Sequence, residues 1–246
     1  MSAKTAVLLP VRPAFARGRA RVTDLVAAEW LKLWSPWYTA AVSAAVVVLS
    51  AVIAQHDPYP VRFDAPAWFL PMLAAGLLGA HTVVTEHATG LMRGTLIAVP
   101  DRRRLVAVKS AVVVGVTAAL ALVLACADIV VPRRAAAGAV TPGQIAACVA
   151  LGPVCGLVGM AVAALVRHLA ATATGVCAVL GGLPLFLQPK QNRWEHDVSN
   201  ALPYYSWSRL ASDSGTMTVP VAWGTLAAWA VAAFLITFVV LDRRDV

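Results

Sequence analysis

Apolar residues run along this chain in long blocks rather than in strict alternation. Six blocks stand out, at 37–54, 67–84, 110–131, 144–166, 169–187 and 219–241. A helix needs about 20 apolar residues to cross a hydrocarbon core roughly 30 Å thick. Each block comes close to that length, the first two being short but extendable with flanking residues such as Trp34. Lipid offers no partner to a backbone N–H or C=O, so a spanning segment must satisfy its own, as a helix does. The pattern predicts an all-α, polytopic membrane protein with six transmembrane helices. Only Arg167 and His168 separate the fourth and fifth blocks, which predicts a tight helical hairpin. One uninterrupted helix over 144–187 is the alternative, and the charged pair at its middle argues against it.

Within the fourth block Gly152, Gly156 and Gly159 recur at helical spacing. Small residues let two helix backbones approach closely in a membrane, so a neighbouring helix is expected there. Pro153 and Pro184 are expected to kink the helices that hold them.

Polar segments separate the blocks, and two have a pattern of their own. Residues 23–38 read TDLVAAEWLKLWSPWY. Thr23 or Asp24 suits a helix start. Leu25, Ala28, Leu31 and Trp34 then recur at three-residue steps, with Glu29 and Lys32 elsewhere on the wheel. Ser35-Pro36 ends the run. This predicts an amphipathic helix lying in the membrane interface; an extension of the first span is the competing reading. The segment 188–218 carries Trp194, Tyr204, Tyr205 and Trp207 among polar residues and prolines. Such rings favour the headgroup level, and the segment is long enough for a partly re-entrant hairpin.

Composition fits the same picture. The chain of 246 residues is 60% hydrophobic, with a mean hydropathy of +0.75 and 13% charged residues. Soluble domains carry about 25% charged residues. The net charge is +8. Because the basic residues flank apolar blocks, they indicate membrane orientation rather than nucleic-acid binding. Six spans would put the N-terminal tail, 85–109, the 167–168 turn and the C-terminus on one side. Fourteen of the 20 Lys and Arg residues fall there, so that side and both termini are expected in the cytoplasm. Residues 1–22 form the tail and 23–246 the membrane domain. The apolar run at 6–9 is shorter than the roughly 7–15 residues of a signal core, and no cleaved signal is expected. Cys126, Cys148, Cys155 and Cys177 all lie in apolar blocks and are expected to be small buried residues.

Candidate chemistry is sparse. The chain has no G-x-x-x-x-G-K-[ST], H-E-x-x-H or G-x-S-x-G sequence, so neither a catalytic constellation nor a cofactor is expected. His81 is the one histidine well inside a block, and Asp128 near the end of the third block reads as a solvated end residue. Ion coupling needs groups that change charge near the midplane, and these are scarce.

The remaining pattern is TEHATGLMRGTLIAVPDRRRLVAVK at 85–109. Leu91, Met92, Leu96 and Val99 give a partial apolar face; Glu86, His87, Arg93 and Thr95 give a polar one. Pro100 ends the element. A short helix across the inner face, close to two spans, is one reading; an interfacial loop anchored by arginines is the other. Gly90 and Gly94 would each weaken such a helix by up to about 1 kcal/mol, which makes sense where another surface approaches closely.

The order Glu86, Thr89-Gly90, Arg93, Thr95-Leu96, Pro100, Arg102 resembles the E-x-x-T-G-x-x-R-x-T-L-x-A-x-P-x-R pattern of actinobacterial ABC-2 type transporter permeases. AAEWLKLWS resembles their N-terminal interfacial helix, AVAALVRHLAATATG their turn between the fourth and fifth spans, and FVVLDRRDV their ending. The resemblance covers nearly the whole chain; Gly94 departs from it. It implies the permease subunit of an ATP-driven exporter in a bacterial plasma membrane, working as a homodimer in lipid. The segment after the second span would be a coupling helix, with Glu86, Thr89, Gly90, Arg93, Gly94, Thr95 and Leu96 docking on a separate cytoplasmic ATPase. A non-transporting scaffold, resistance or sensory protein of the same fold is the alternative.

Overall fold

The computed structural model describes residues 21–35, 37–56, 63, 65–88, 102–130, 140–187, 193–212 and 217–243, and among them finds helices and no strand. The helices are α1 (Val22–Trp34), α2 (Trp37–His56), α3 (Ala65–Ala88), α4 (Arg102–Val130), α5 (Pro142–Val166), α6 (Leu169–Phe186), α7 (Arg193–Asn200), α8 (Pro203–Ala211) and α9 (Val219–Arg243). Five of them, α3, α4, α5, α6 and α9, are long and apolar enough to cross a membrane. The helix α1 and residues 39–53 of α2 meet that test only together, across a 67° bend. The chain therefore has the helices of a multi-pass membrane protein.

Helix α5 forms the centre. It is apolar all round, the pattern of a helix enclosed by others, and Cys148, Cys155, Met160, Ala163 and Ala164 on it are fully buried. Thr141 starts it with a reciprocal cap. Its Oγ1 accepts from the Gln144 N–H, while the Gln144 Oε1 accepts from the Thr141 N–H, and Pro142 fills the first turn. The expected close approach is present. A Cβ on Gly159 would overlap the Gly76 carbonyl of α3, and one on Gly79 would overlap the Gly156 carbonyl. Gly152 fits against the Thr117 carbonyl of α4 in the same way.

Arg167 adopts a left-handed conformation, φ 59°, and ends α5. The chain reverses into α6, so 144–187 forms a hairpin and not one helix. In α6 the proline leaves its mark as a π-helical stretch, Cys177–Gly182. Pro184 has no N–H for the Leu180 carbonyl one turn back, and just before it the Leu183 N–H bonds five residues back, to the Ala178 carbonyl. Of the cysteines, Cys148 and Cys155 are buried as expected, whereas Cys126 and Cys177 lie exposed on helix surfaces.

Contacts orient the helices. Trp68 of α3 meets Asp128 of α4, and Thr82 of α3 meets Lys109 of α4. Asp242 of α9 lies 3.4 Å from Arg103 of α4. The end of α3, the start of α4, the α5–α6 turn and the end of α9 thus share one end of the bundle, which is rich in basic residues.

The opposite end holds two departures from the sequence reading. Asp128 is not solvated: it is 9% exposed and accepts a 2.7 Å hydrogen bond from the Trp68 indole N–H. An indole N–H buried at the end of a span needs an acceptor, and the carboxylate fills that role. Trp207 is not at a headgroup surface either. It is fully buried, 5.5 Å from the Trp68 ring, so α8 is part of the core. The α7–α8 segment is further pinned where the Trp229 indole donates to the Ala201 carbonyl, 2.7 Å. Asp128→Leu strands the buried Trp68 N–H and is expected to cost about 1–3 kcal/mol, read as a lower melting temperature; Trp68→Phe in that background should recover part of the loss.

Candidate functional site

At the basic end four charged side chains from three helices close into a ring. Glu29 and Lys32 come from α1, Glu86 from α3 and Lys109 from α4. Lys32 Nζ donates to Glu29 Oε1 at 2.6 Å and to Glu86 Oε1 at 2.8 Å. Lys109 Nζ donates to Glu29 Oε2 at 2.6 Å and lies 3.0 Å from Glu86 Oε1. Each charge therefore touches both opposite charges. Lys109 places its third donor on the Thr82 carbonyl oxygen, 3.0 Å away.

Helical spacing builds the ring. Thr82 and Glu86 are one turn apart on α3, and Glu29 and Lys32 sit three residues apart on α1. Leu25 and Leu33 lie one turn either side of Glu29 and pack on Val108, Val112 and Val116 of α4. This corrects part of the predicted face of α1, of which Leu25 is buried and Trp34 packs beside it. The buried stripe is Leu25, Glu29, Leu33, while Ala28 and Leu31 face outward. The reason is the buried lysine opposite: Lys109 draws Glu29 inward, and the residues a turn away follow.

Three of the four side chains are removed from solvent, at 5% exposed for Glu29 and 4% for Glu86 and Lys109; Lys32 is 39% exposed. Burial alone would push the Glu29 carboxyl up, but Lys109 and Lys32 outweigh it and hold the group below its ordinary value. Burial would lower Lys32, yet Glu29 and Glu86 outweigh it and raise the ammonium. A cleft of about 240 Å³, counted with its open mouth, borders the ring between α1 and α3 and is lined also by His81, Thr82 and Thr85.

Of the predicted docking residues, Glu86 is described, and it is a buried member of the ring. Thr89, Gly90, Arg93, Gly94, Thr95 and Leu96 lie outside the described residues. The ring draws on both helices that border their segment, α3, which ends at Ala88, and α4, which begins at Arg102. Glu29, Lys32 and Lys109 were not singled out from the sequence as site residues. The available signal was a lysine seven residues into the α4 helix, at the edge of its apolar run, which calls for a carboxylate partner.

The arrangement fixes helices and has no nucleophile or open acid–base pair. No group of three His, Cys, Asp or Glu among the described residues could hold a metal ion. Nearer the other end, α2, α3, α4 and α5 frame a charge-free groove of about 480 Å³, counted with its open mouth, lined by Ser43, Val47, Trp68, Met72, Thr117 and Leu151 among others. Compared with known proteins, the chain matches no protein-family model and no curated protein.

Proposed function

We propose that this chain is the membrane-spanning permease subunit of an ABC-type exporter, with α2 as the first of six spans. The basic end faces the cytoplasm of a bacterial cell, α1 lies in the inner interface, and two copies form the pathway. A separate ATPase docks on the segment that runs from Glu86 to Leu96. The observation that supports this reading is the ring: it joins both borders of the 89–101 segment to the interfacial helix, so force applied to that segment reaches three helices at once. The apolar groove suits hydrophobic or amphipathic cargo, and cargo class follows from that chemistry alone.

The test is co-purification of the full chain with a soluble protein that carries a phosphate-binding loop, followed by ATP-dependent efflux from vesicles holding both. Arg93→Glu, which reverses a charge on the docking segment and leaves the ring intact, is expected to reduce association at least tenfold. Absence of any ATPase partner and of ATP-dependent efflux would favour the scaffold reading. A tag at Arg102–Arg104 that reaches the outside of the cell would overturn the orientation.

A further inference from the structure

The charge ring divides cleanly along the boundary between α1 and the rest of the bundle. Glu29 and Lys32 both belong to α1 and pair with each other at 2.6 Å. Glu86 and Lys109 belong to α3 and α4 and pair at 3.0 Å, with Lys109 also held by the Thr82 carbonyl. Two ion pairs of the ring cross the boundary, Lys109 to Glu29 at 2.6 Å and Lys32 to Glu86 at 2.8 Å. Cutting those two leaves two halves, each electrically neutral and each already paired within itself. A buried ion pair between two elements normally lacks this property, because separating it strands a charge on both sides.

The other forces on α1 are weak by comparison. Leu25 and Leu33 rest on the valines of α4. In lipid, trading those methyl groups for acyl chains changes little, since lipid tails are as apolar as the side chains they replace. The outward side of α1 is apolar too: Val26 is 38%, Trp30 50% and Leu31 65% exposed. A released α1 would therefore still have a favourable place in the membrane interface. Its connection to α2 is already sharply bent, by 67°.

We propose that α1 is a releasable arm. Docked, it closes the four-charge ring against α3 and α4. Released, it stays in the interface with Glu29 on Lys32, while Glu86 and Lys109 close on each other and lie bared. This goes beyond the permease reading and does not rest on it, because the equilibrium belongs to the chain alone.

The decisive variant exchanges the two charges of α1, Glu29→Lys with Lys32→Glu. Both halves stay neutral and internally paired, but the crossing contacts become Lys against Lys and Glu against Glu. Spin labels at Leu31→Cys on α1 and Ala107→Cys on α4, both exposed positions, report the separation by pulsed electron resonance. The full chain is used in lipid nanodiscs without any ATPase, its four native cysteines replaced by alanine. The expected result is a shift of the exchanged protein to longer distances, with a melting temperature near that of the parent. Glu29→Gln, which removes the negative charge that Lys109 pairs with across the boundary and leaves Lys32 a neutral partner on α1, should populate the longer distances partly. The parent distance retained in the exchanged protein would overturn the proposal. Should the exchanged protein not fold, Glu29→Gln decides: longer distances support the releasable arm, and an unchanged distance or an unfolded bundle sinks it.

Discussion

Lys109→Met is expected to cause one of the largest losses of stability of any single change outside the helix crossings. Lys109 is the buried corner of the ring, saturated by Glu29, Glu86 and the Thr82 carbonyl. Without it two carboxylates, each about 5% exposed or less, share only Lys32. Removing one partner from a buried charge pair costs about 3–5 kcal/mol, mostly because the other charge stays buried. For a chain of this size the expected drop in melting temperature is on the order of 10 °C, measured by heating the detergent-solubilised protein and counting what stays monodisperse. The triple change Lys109→Met, Glu29→Gln, Glu86→Gln removes the stranded charges and should recover most of the drop, as neutral replacement of whole buried ion networks often does. A triple variant as unstable as the single one would show that packing, not charge, is at stake.

The same ring sets a pH dependence. The Glu29 value is lowered in the fold, so its stabilisation is present above the ordinary carboxylate range and is lost as pH falls through its folded value. The Lys32 value is raised, so its share holds below the ordinary lysine value and is lost only as pH rises through its folded value. Around neutral pH both shares are present in full.

Lipid makes part of this fold easy to read from sequence. It forces each spanning segment into a helix of a certain length, and α3, α5, α6 and α9 follow the apolar blocks to within a few residues, while α4 starts well before its block, at Arg102. The α5–α6 reversal shows as two charged residues between apolar blocks, and the α3–α5 crossing shows as glycines at helical spacing. What the blocks hide is pairing between distant positions. Glu29 and Lys109 are 80 residues apart, and nothing local says that they meet. That contact also rotates the buried face of α1 away from Ala28 and Leu31, because hydrophobic periodicity assigns charges to the outside by default. Asp128 and Trp207 depart for a related reason: local position puts one at the solvated end of a span and the other in a polar segment between spans, while their surroundings come from Trp68 on a different helix. Of the candidate docking residues, only Glu86 falls among those described.

Gly159→Val is expected to prevent folding of the bundle or to reduce recovered protein severely. Gly76 and Gly79 of α3 face Gly156 and Gly159 of α5 so closely that the carbonyl of one helix occupies the place of a side chain on the other. At Gly152 and Gly159 the obstacle is backbone, which cannot turn aside as a flexible side chain would. Overpacking a well-filled core costs about 1–3 kcal/mol and occasionally more; here the two central helices would have to separate, so the cost lies at or beyond the top of that range. Separation would also spread to the ring, because the end of α3 carries Glu86 and Thr82. Gly115→Ala in α4 is the internal control, since a Cβ there meets nothing within 4 Å. Relieved of the entropy that a mid-helix glycine loses, that variant should gain roughly 0.5–1 kcal/mol. The measurement is the yield and melting temperature of the two variants side by side: a fall for Gly159→Val with no fall for Gly115→Ala locates the demand for glycine at the crossing, whereas equal behaviour would mean that α3 and α5 do not meet backbone to backbone.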